Sequence, residues 1–203
     1  MKRNPEERKR QILKAAFRAV ADKGFGNVTL QMIADYAGVS KGVPNYYFEN
    51  KEDVLAHLLE WMTEKIYEKE SANIGKVATA EAKLTAYLDT VFASPEENRQ
   101  FYRVYLDFLA HAKTNERYRQ INEQFYRNCW RLGEGIIQQG IKENIFEVED
   151  ISDAAAAIRA MIDGCLIQWL MLNKDELHLT YKHICYSNLI TYLQGTRSCE
   201  KTS

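Results

Sequence analysis

The sequence predicts an all-α protein of about nine helices, because apolar residues recur every three or four positions along most of its 203 residues. Two further observations agree. Only three prolines interrupt the pattern, and nowhere does the sustained apolar–polar alternation of a half-buried strand appear. Neither an internal repeat nor a low-complexity tract is present. The expected organisation is two domains, a short N-terminal one over 1–50 and a larger helical one over 51–203.

The first helix is expected over about 5–23, with Ile12, Leu13, Ala16, Phe17 and Val20 on one face. Pro5 suits its start, where a missing amide costs nothing, and Gly24 follows its end. Thr29 is a good N-cap for the second helix. Ile33, Ala34 and Ala37 then form one apolar stripe that stops at Gly38, a residue free to adopt the left-handed conformation that closes a helix. Gly38, Val39 and Ser40 make a turn, and Ser40 can cap a short third helix ending near Phe48. Pro44 falls in its first turn, where loss of a donor is tolerable. Two short helices hinged at a glycine form a helix-turn-helix, a device for reading DNA. Lys41, Gly42 and Val43 open its second helix with little bulk, so the backbone can lie near base edges in a major groove.

Three helices of this size bury too little area to stand well alone. The fourth, over about 51–73 with Val54, Leu55, Leu58, Leu59, Met62 and Ile66 inward, must complete their core and lead into the rest. Further helices are expected over 80–93, 95–113, 116–139, 151–172 and 180–193. Ser94-Pro95 and the stretch 140–150 are the clearest breaks.

The formal net charge of −1 hides an asymmetry: residues 1–51 hold ten Lys and Arg against five Asp and Glu, while 52–203 hold seventeen against twenty-three. The basic end coincides with the helix-turn-helix, as expected where one end meets phosphates. Cys129, Cys165, Cys185 and Cys199 form no C-x-x-C pair, and the charged Met-Lys-Arg-Asn start does not resemble a secretory leader. Reduced thiols and a cytoplasmic protein are the expectation, with Cys165 a small buried hydrophobe. No uninterrupted apolar run approaches the ~18 residues that span a bilayer; Gly164 to Leu172 comes nearest and Gln168 breaks it, so no membrane partner is expected.

Enzymatic chemistry finds little support. His57, His111, His178 and His183 are scattered without a zinc spacing, and His183 and Cys185 lie on different faces of a helix. Gly133, Gly135 and Gly140 do not make a phosphate loop. Glu96-Glu97 and Glu149-Asp150 sit at helix starts, where acids favour the positive end of the dipole. Neither an enzyme, nor a metal, nor a cofactor is expected.

Thr29, Ile33-Ala34, Ala37-Gly38-Val39-Ser40, Gly42, Tyr47-Phe48 and Lys51 together resemble the DNA-binding signature of the tetracycline-repressor (TetR) family. The match runs from about Arg8 to Leu55. There is a departure: where the family usually has an aliphatic residue and then a backbone-touching tyrosine, this chain has Pro44 and Asn45, so either Tyr46 or Asn45 takes over that contact. On this reading Lys41, Val43 and Asn45 lie nearest the bases and Gly42 permits close approach. Thr29, Ser40, Tyr46, Tyr47 and Lys51 then hold phosphates.

Beyond the fourth helix two features stand out. Phe101, Tyr102, Tyr105 and Phe108 fall on one helix, Phe125, Tyr126 and Trp130 on the next, and Trp169 on a later one. Such aromatic stripes fill a core or line a pocket for an apolar ligand, with Arg103, Asn122 or Gln168 orienting it. The resemblance implies a ligand cavity among these helices and makes Phe101, Tyr105, Phe108, Phe125, Trp130, Gln168 and Trp169 the candidate ligand residues. The second feature is the 151–172 helix, apolar nearly all round and rich in Ala and Gly164; with Ile184, Leu189, Ile190 and Leu193 it suits a two-fold four-helix interface. The expected function is a homodimeric DNA-binding regulator, a repressor released from a palindromic operator by a small, largely apolar effector. The alternative is an architectural DNA-binding dimer that responds to no ligand.

Overall fold

The computed structural model describes residues 4–195, which form nine α-helices and, among these residues, no strand. Met1, Lys2, Arg3 and Cys199 lie outside the described residues. The helices are α1 Pro5–Lys23, α2 Leu30–Ala37, α3 Gly42–Tyr47, α4 Lys51–Ile74, α5 Ala80–Val91, α6 Pro95–His111, α7 Glu116–Lys142, α8 Ile151–Leu172 and α9 His178–Gln194; single 3-10 turns occupy Phe25–Asn27 and Asp175–Leu177. The chain divides into two compact units, one of Met1–Lys65 with Gln100–Glu123, the other of Ile66–Arg99 with Gln124–Ser203.

In the first unit α1 buries Ile12, Leu13, Ala15, Ala16, Ala19 and Val20, which share a core with Ile33, Ala34 and Ala37 of α2 and Val54, Leu55, Leu58 and Leu59 of α4. Asn4 caps α1 by accepting the Glu6 amide, with Pro5 following it. Three bonds lock α1 to α2: Gln11 Nε2 donates to the Ala37 carbonyl at 2.6 Å, Arg18 Nη2 to the Tyr36 carbonyl at 2.9 Å, and the Tyr36 hydroxyl to Asp22 Oδ2 at 3.0 Å. The first two satisfy carbonyls that the end of α2 leaves without intrahelical donors. Phe25 packs against Phe108 at 5.2 Å, His111 at 4.2 Å and Tyr118 at 6.2 Å, so the α1–α2 connection is held by α6 and the start of α7.

In the second unit α8 is the central helix, packed on α9, with Ala154, Ala155, Ile158, Ile162, Leu166, Trp169 and Leu170 buried. Averaged over its length, α8 is long and apolar enough to cross a membrane, which the uninterrupted-run reading did not register. Within this unit it buries Arg159, forked to Asp163. The expected break at Gly140 falls three residues later: α7 runs through Gly140 to Lys142 and ends on Asn144 at φ 57°, with the Ile145 amide returning to the Gly140 carbonyl. Gly140 is required for a different reason, because a Cβ there would lie 1.9 Å from the Phe146 ring. Helix α9 begins two residues earlier than expected, at His178, whose buried ring bonds Asn98 Oδ1 through Nε2 at 2.7 Å.

Candidate functional site

The α2–turn–α3 segment follows from its local chemistry. Thr29 Oγ1 accepts the Met32 amide at 3.2 Å, and Gly38 at φ 64° and ψ 40° closes α2 in the left-handed conformation. The expected Ser40 cap does not form. Lys41 stands at the cap position without a side-chain bond, and Ser40 contributes its carbonyl, which accepts the Val43 amide at 2.9 Å. Pro44 and Phe48 point into the core of the unit and fix the roll of α3.

That roll leaves Lys41, Gly42, Asn45 and Tyr46 exposed, with Val43 and Tyr47 half-buried. Tyr46 is 82% exposed and its ring meets Tyr47 edge to face at 5.0 Å. Thr29 and Ser40 are also exposed, while Lys51 lies half-buried on the first turn of α4. Asn50 caps that helix by accepting the Asp53 amide at 2.9 Å, and Asp53 Oδ2 accepts the Glu49 amide at 3.1 Å, a reciprocal box that fixes where Lys51 stands.

Sequence reasoning missed the group behind this box. Arg117 Nη1 donates to Asp53 Oδ1 at 2.6 Å, and His57 Nδ1 lies 3.1 Å from the same oxygen. Burial raises the Asp53 pKa, but the Arg117 hydrogen bond, the Glu49 amide and the neighbouring charges outweigh it and hold the carboxyl below its usual value. The three residues come from α4 and α7, 64 positions apart at the widest, which no local pattern reveals.

The seven aromatic and polar ligand candidates divide between the units. Phe101 stacks on Tyr105 at 5.2 Å and Phe108 packs on Phe25 in the first. In the second, Phe125 is buried, while Trp130 and Gln168 are exposed. Trp169 is wholly buried; its Nε1 donates to the Lys174 carbonyl at 2.9 Å, Arg99 lies over its ring at 5.2 Å, and His178 meets its edge at 4.7 Å. These contacts close the α8–α9 connection.

The second unit also buries a polar group that the periodicity did not disclose. Glu70 of α4 and Tyr87 of α5 have no exposed surface; the Glu70 carboxyl oxygens accept no hydrogen bond, and the Tyr87 hydroxyl lies beside Arg159 and the Cys129 thiol. Arg159 of α8 sits 3.9 Å from Glu70, stacks over Phe125 at 5.0 Å, and forks onto Asp163 at 2.6 and 3.1 Å. Burial pushes the Glu70 carboxyl up to about 7, against the pull of Arg159, with Asp163 adding to the rise. An arginine inside an otherwise apolar Ala- and Ile-rich run was the one legible sign of this cluster.

Two family models match the chain: that of the bacterial regulatory proteins of the tetR family over residues 12–58, and that of the BetI-type transcriptional repressor, C-terminal, over residues 80–186. The regulator BetI of Brucella anthropi is 26% identical over 161 residues, covering 79% of this chain and 80% of its own. The fatty acid metabolism regulator protein of Bacillus subtilis is 28% identical over 162 residues, covering 79% and 82%. Among solved structures, a transcriptional regulator from Saccharomonospora viridis in complex with choline superposes with a TM-score of 0.84 at 23% identity, covering 93% of this chain and 98% of that one. FadR from Bacillus subtilis in complex with stearoyl-CoA superposes with a TM-score of 0.77 at 26% identity, covering 91% and 98%. With an exposed helix-turn-helix at one end and the repressor model matched over just over half of its length, this chain belongs to the TetR family of transcriptional regulators.

Proposed function

We propose that the chain is a homodimeric repressor that grips a palindromic operator through residues 1–50 and leaves it when a small molecule binds within residues 51–203. The observation that carries the DNA reading is the α3 surface: Lys41, Gly42, Asn45 and Tyr46 are exposed on a helix whose other side is pinned by buried Pro44 and Phe48. Lys41, Val43 and Asn45 face the bases, while Thr29, Ser40, Tyr46, Tyr47 and Lys51 hold the backbone. The basic balance of residues 1–51 supports the same end of the molecule.

Dimerisation through α8 and α9 is supported by what those helices leave uncovered. Ala157, Ala160, Met161, Gly164, Gln168 and Met171 share one face of α8, and a Cβ added at Gly164 meets nothing within 4 Å. Ile184, Asn188 and Tyr192 are exposed on one face of α9. Small residues on an uncovered helix face suit a second copy approaching closely, and a two-fold partner supplies the second reading head that a palindrome requires.

Ligand response is supported by the similar structures that hold choline and stearoyl-CoA. Helix α4 contributes to both units, from Lys51 at the DNA end to Glu70 in the second unit, so displacing it alters the spacing of two heads that must match half-sites about 34–36 Å apart. Tenfold release needs a ligand that prefers the DNA-incompetent state by ~1.4 kcal/mol. The protein acts in the cytoplasm by binding, without turnover. Fluorescence anisotropy of DNA from upstream of the gene tests the reading: nanomolar binding weakened at least tenfold by a saturating effector is expected. Tight binding that no bound small molecule alters would favour the architectural alternative.

A further inference from the structure

We infer that the second unit binds a small molecule carrying a protonated primary amine, with Glu70 and Tyr87 receiving its N–H groups. This inference rests on the ligand-responsive reading above and names the chemistry of the effector. Glu70 has no exposed surface and neither of its oxygens accepts a hydrogen bond; Tyr87, equally buried, sets its hydroxyl beside the Arg159 guanidinium and the Cys129 thiol without a hydrogen bond of ordinary geometry. Buried acceptors left without donors are costly, and an apolar residue of similar volume would serve packing better. The two side chains come from different helices, α4 and α5, and converge on the same guanidinium neighbourhood.

Charge decides what the acceptors await. Arg159 is engaged in a bidentate fork with Asp163 and lies over the Phe125 ring, and its Nη1 stands 3.9 Å from Glu70, beyond hydrogen-bond reach. With Asp163 balancing Arg159, ionised Glu70 leaves one negative charge in excess, which a cation neutralises. A carboxylate or phosphate ligand would instead add a third acid to Glu70 and Asp163 around the single Arg159 guanidinium. The groups facing Glu70 from the packed helices are Arg159 and Asp163 of α8, Tyr87 of α5 and Cys129 of α7. Burial pushes the Cys129 thiol up to about 12 and the Tyr87 hydroxyl well above its ordinary value, so Glu70 is the member poised to ionise near neutrality when a cation arrives. A primary ammonium supplies both the charge and three N–H donors; a quaternary ammonium supplies the charge alone.

Isothermal titration calorimetry on the full chain with hexylamine, hexyltrimethylammonium, 1-hexanol and hexanoate separates charge from hydrogen bonding on one apolar skeleton. Hexylamine is expected to bind at least tenfold more tightly than the other three, with affinity rising several-fold from pH 6 to pH 8. Glu70→Gln should erase both the preference and the pH dependence, and Tyr87→Phe should weaken hexylamine several-fold while its thermal melt stays cooperative. Equal binding of hexanol and hexylamine, tightest binding of hexanoate or of the quaternary amine, or an unchanged preference in Glu70→Gln would each overturn the proposal. Operator anisotropy on the same samples tells the two failures apart. Release by stearoyl-CoA with no amine bound overturns the amine site and leaves the regulator standing, whereas absence of operator binding without any ligand defeats the regulator reading itself.

Discussion

Glu70 shows how one buried side chain ties stability to pH. Its carboxyl is raised from an ordinary 4.5 to about 7 by burial, so the folded chain holds a proton that the unfolded chain releases between those values. The stability this contributes is present below pH 4.5 and is lost as pH rises through about 7, an effect of ~3 kcal/mol. Urea unfolding of wild type and Glu70→Gln should therefore diverge by that order between pH 5 and pH 8, with the variant the more stable at pH 8. Parallel curves would contradict it. Asp53 has the opposite sign, since its pKa is lowered and its contribution disappears as pH falls through the folded value. At this scale the sequence was legible where a residue acts on its own backbone: Thr29 caps and Gly38 turns left-handed as expected. Ser40 was misread because the third helix starts at Gly42, which leaves the hydroxyl outside capping position. Glu70 was passed over: four residues after Ile66 it falls on the same inward face of α4, but a carboxylate there reads as the end of the apolar stripe and not as part of the core.

Helices were easier to read than their ends. Helix α1 has the bounds that Pro5 and Gly24 announce, but α7 passes through Gly140, a residue that usually marks a stop. The cause lies outside the helix: the ring of Phe146 folds back onto the glycine, where a side chain would collide. Gly140→Ala should consequently destabilise the protein by ~1–3 kcal/mol despite alanine's better helix propensity; a rise in the melting temperature would show that the ring can move away freely. For α8, Gly164→Trp or Ala157→Arg should yield monomers in sedimentation velocity at micromolar concentration, because both sites lie on the uncovered face. Operator affinity should fall with them. Dimers that persist through both changes would assign the interface elsewhere.

Helices α4, α6 and α7 each contribute residues to both units. Family and helical class were legible because the helix-turn-helix is a local signal with fixed spacing, whereas the Arg117–Asp53–His57 and Glu70–Arg159–Asp163 groups join residues far apart in sequence and depend on tertiary packing. The most direct measurement is anisotropy of labelled DNA from upstream of the gene, titrated with wild type, Lys51→Ala and Asn45→Ala over a range of salt. Lys51→Ala should weaken every sequence alike and lower the salt slope by roughly one unit, and Asn45→Ala should relax preference at one base pair by ~1–3 kcal/mol. Affinity, salt slope and sequence preference unchanged in both variants would contradict the central claim that α3 and the start of α4 read the operator.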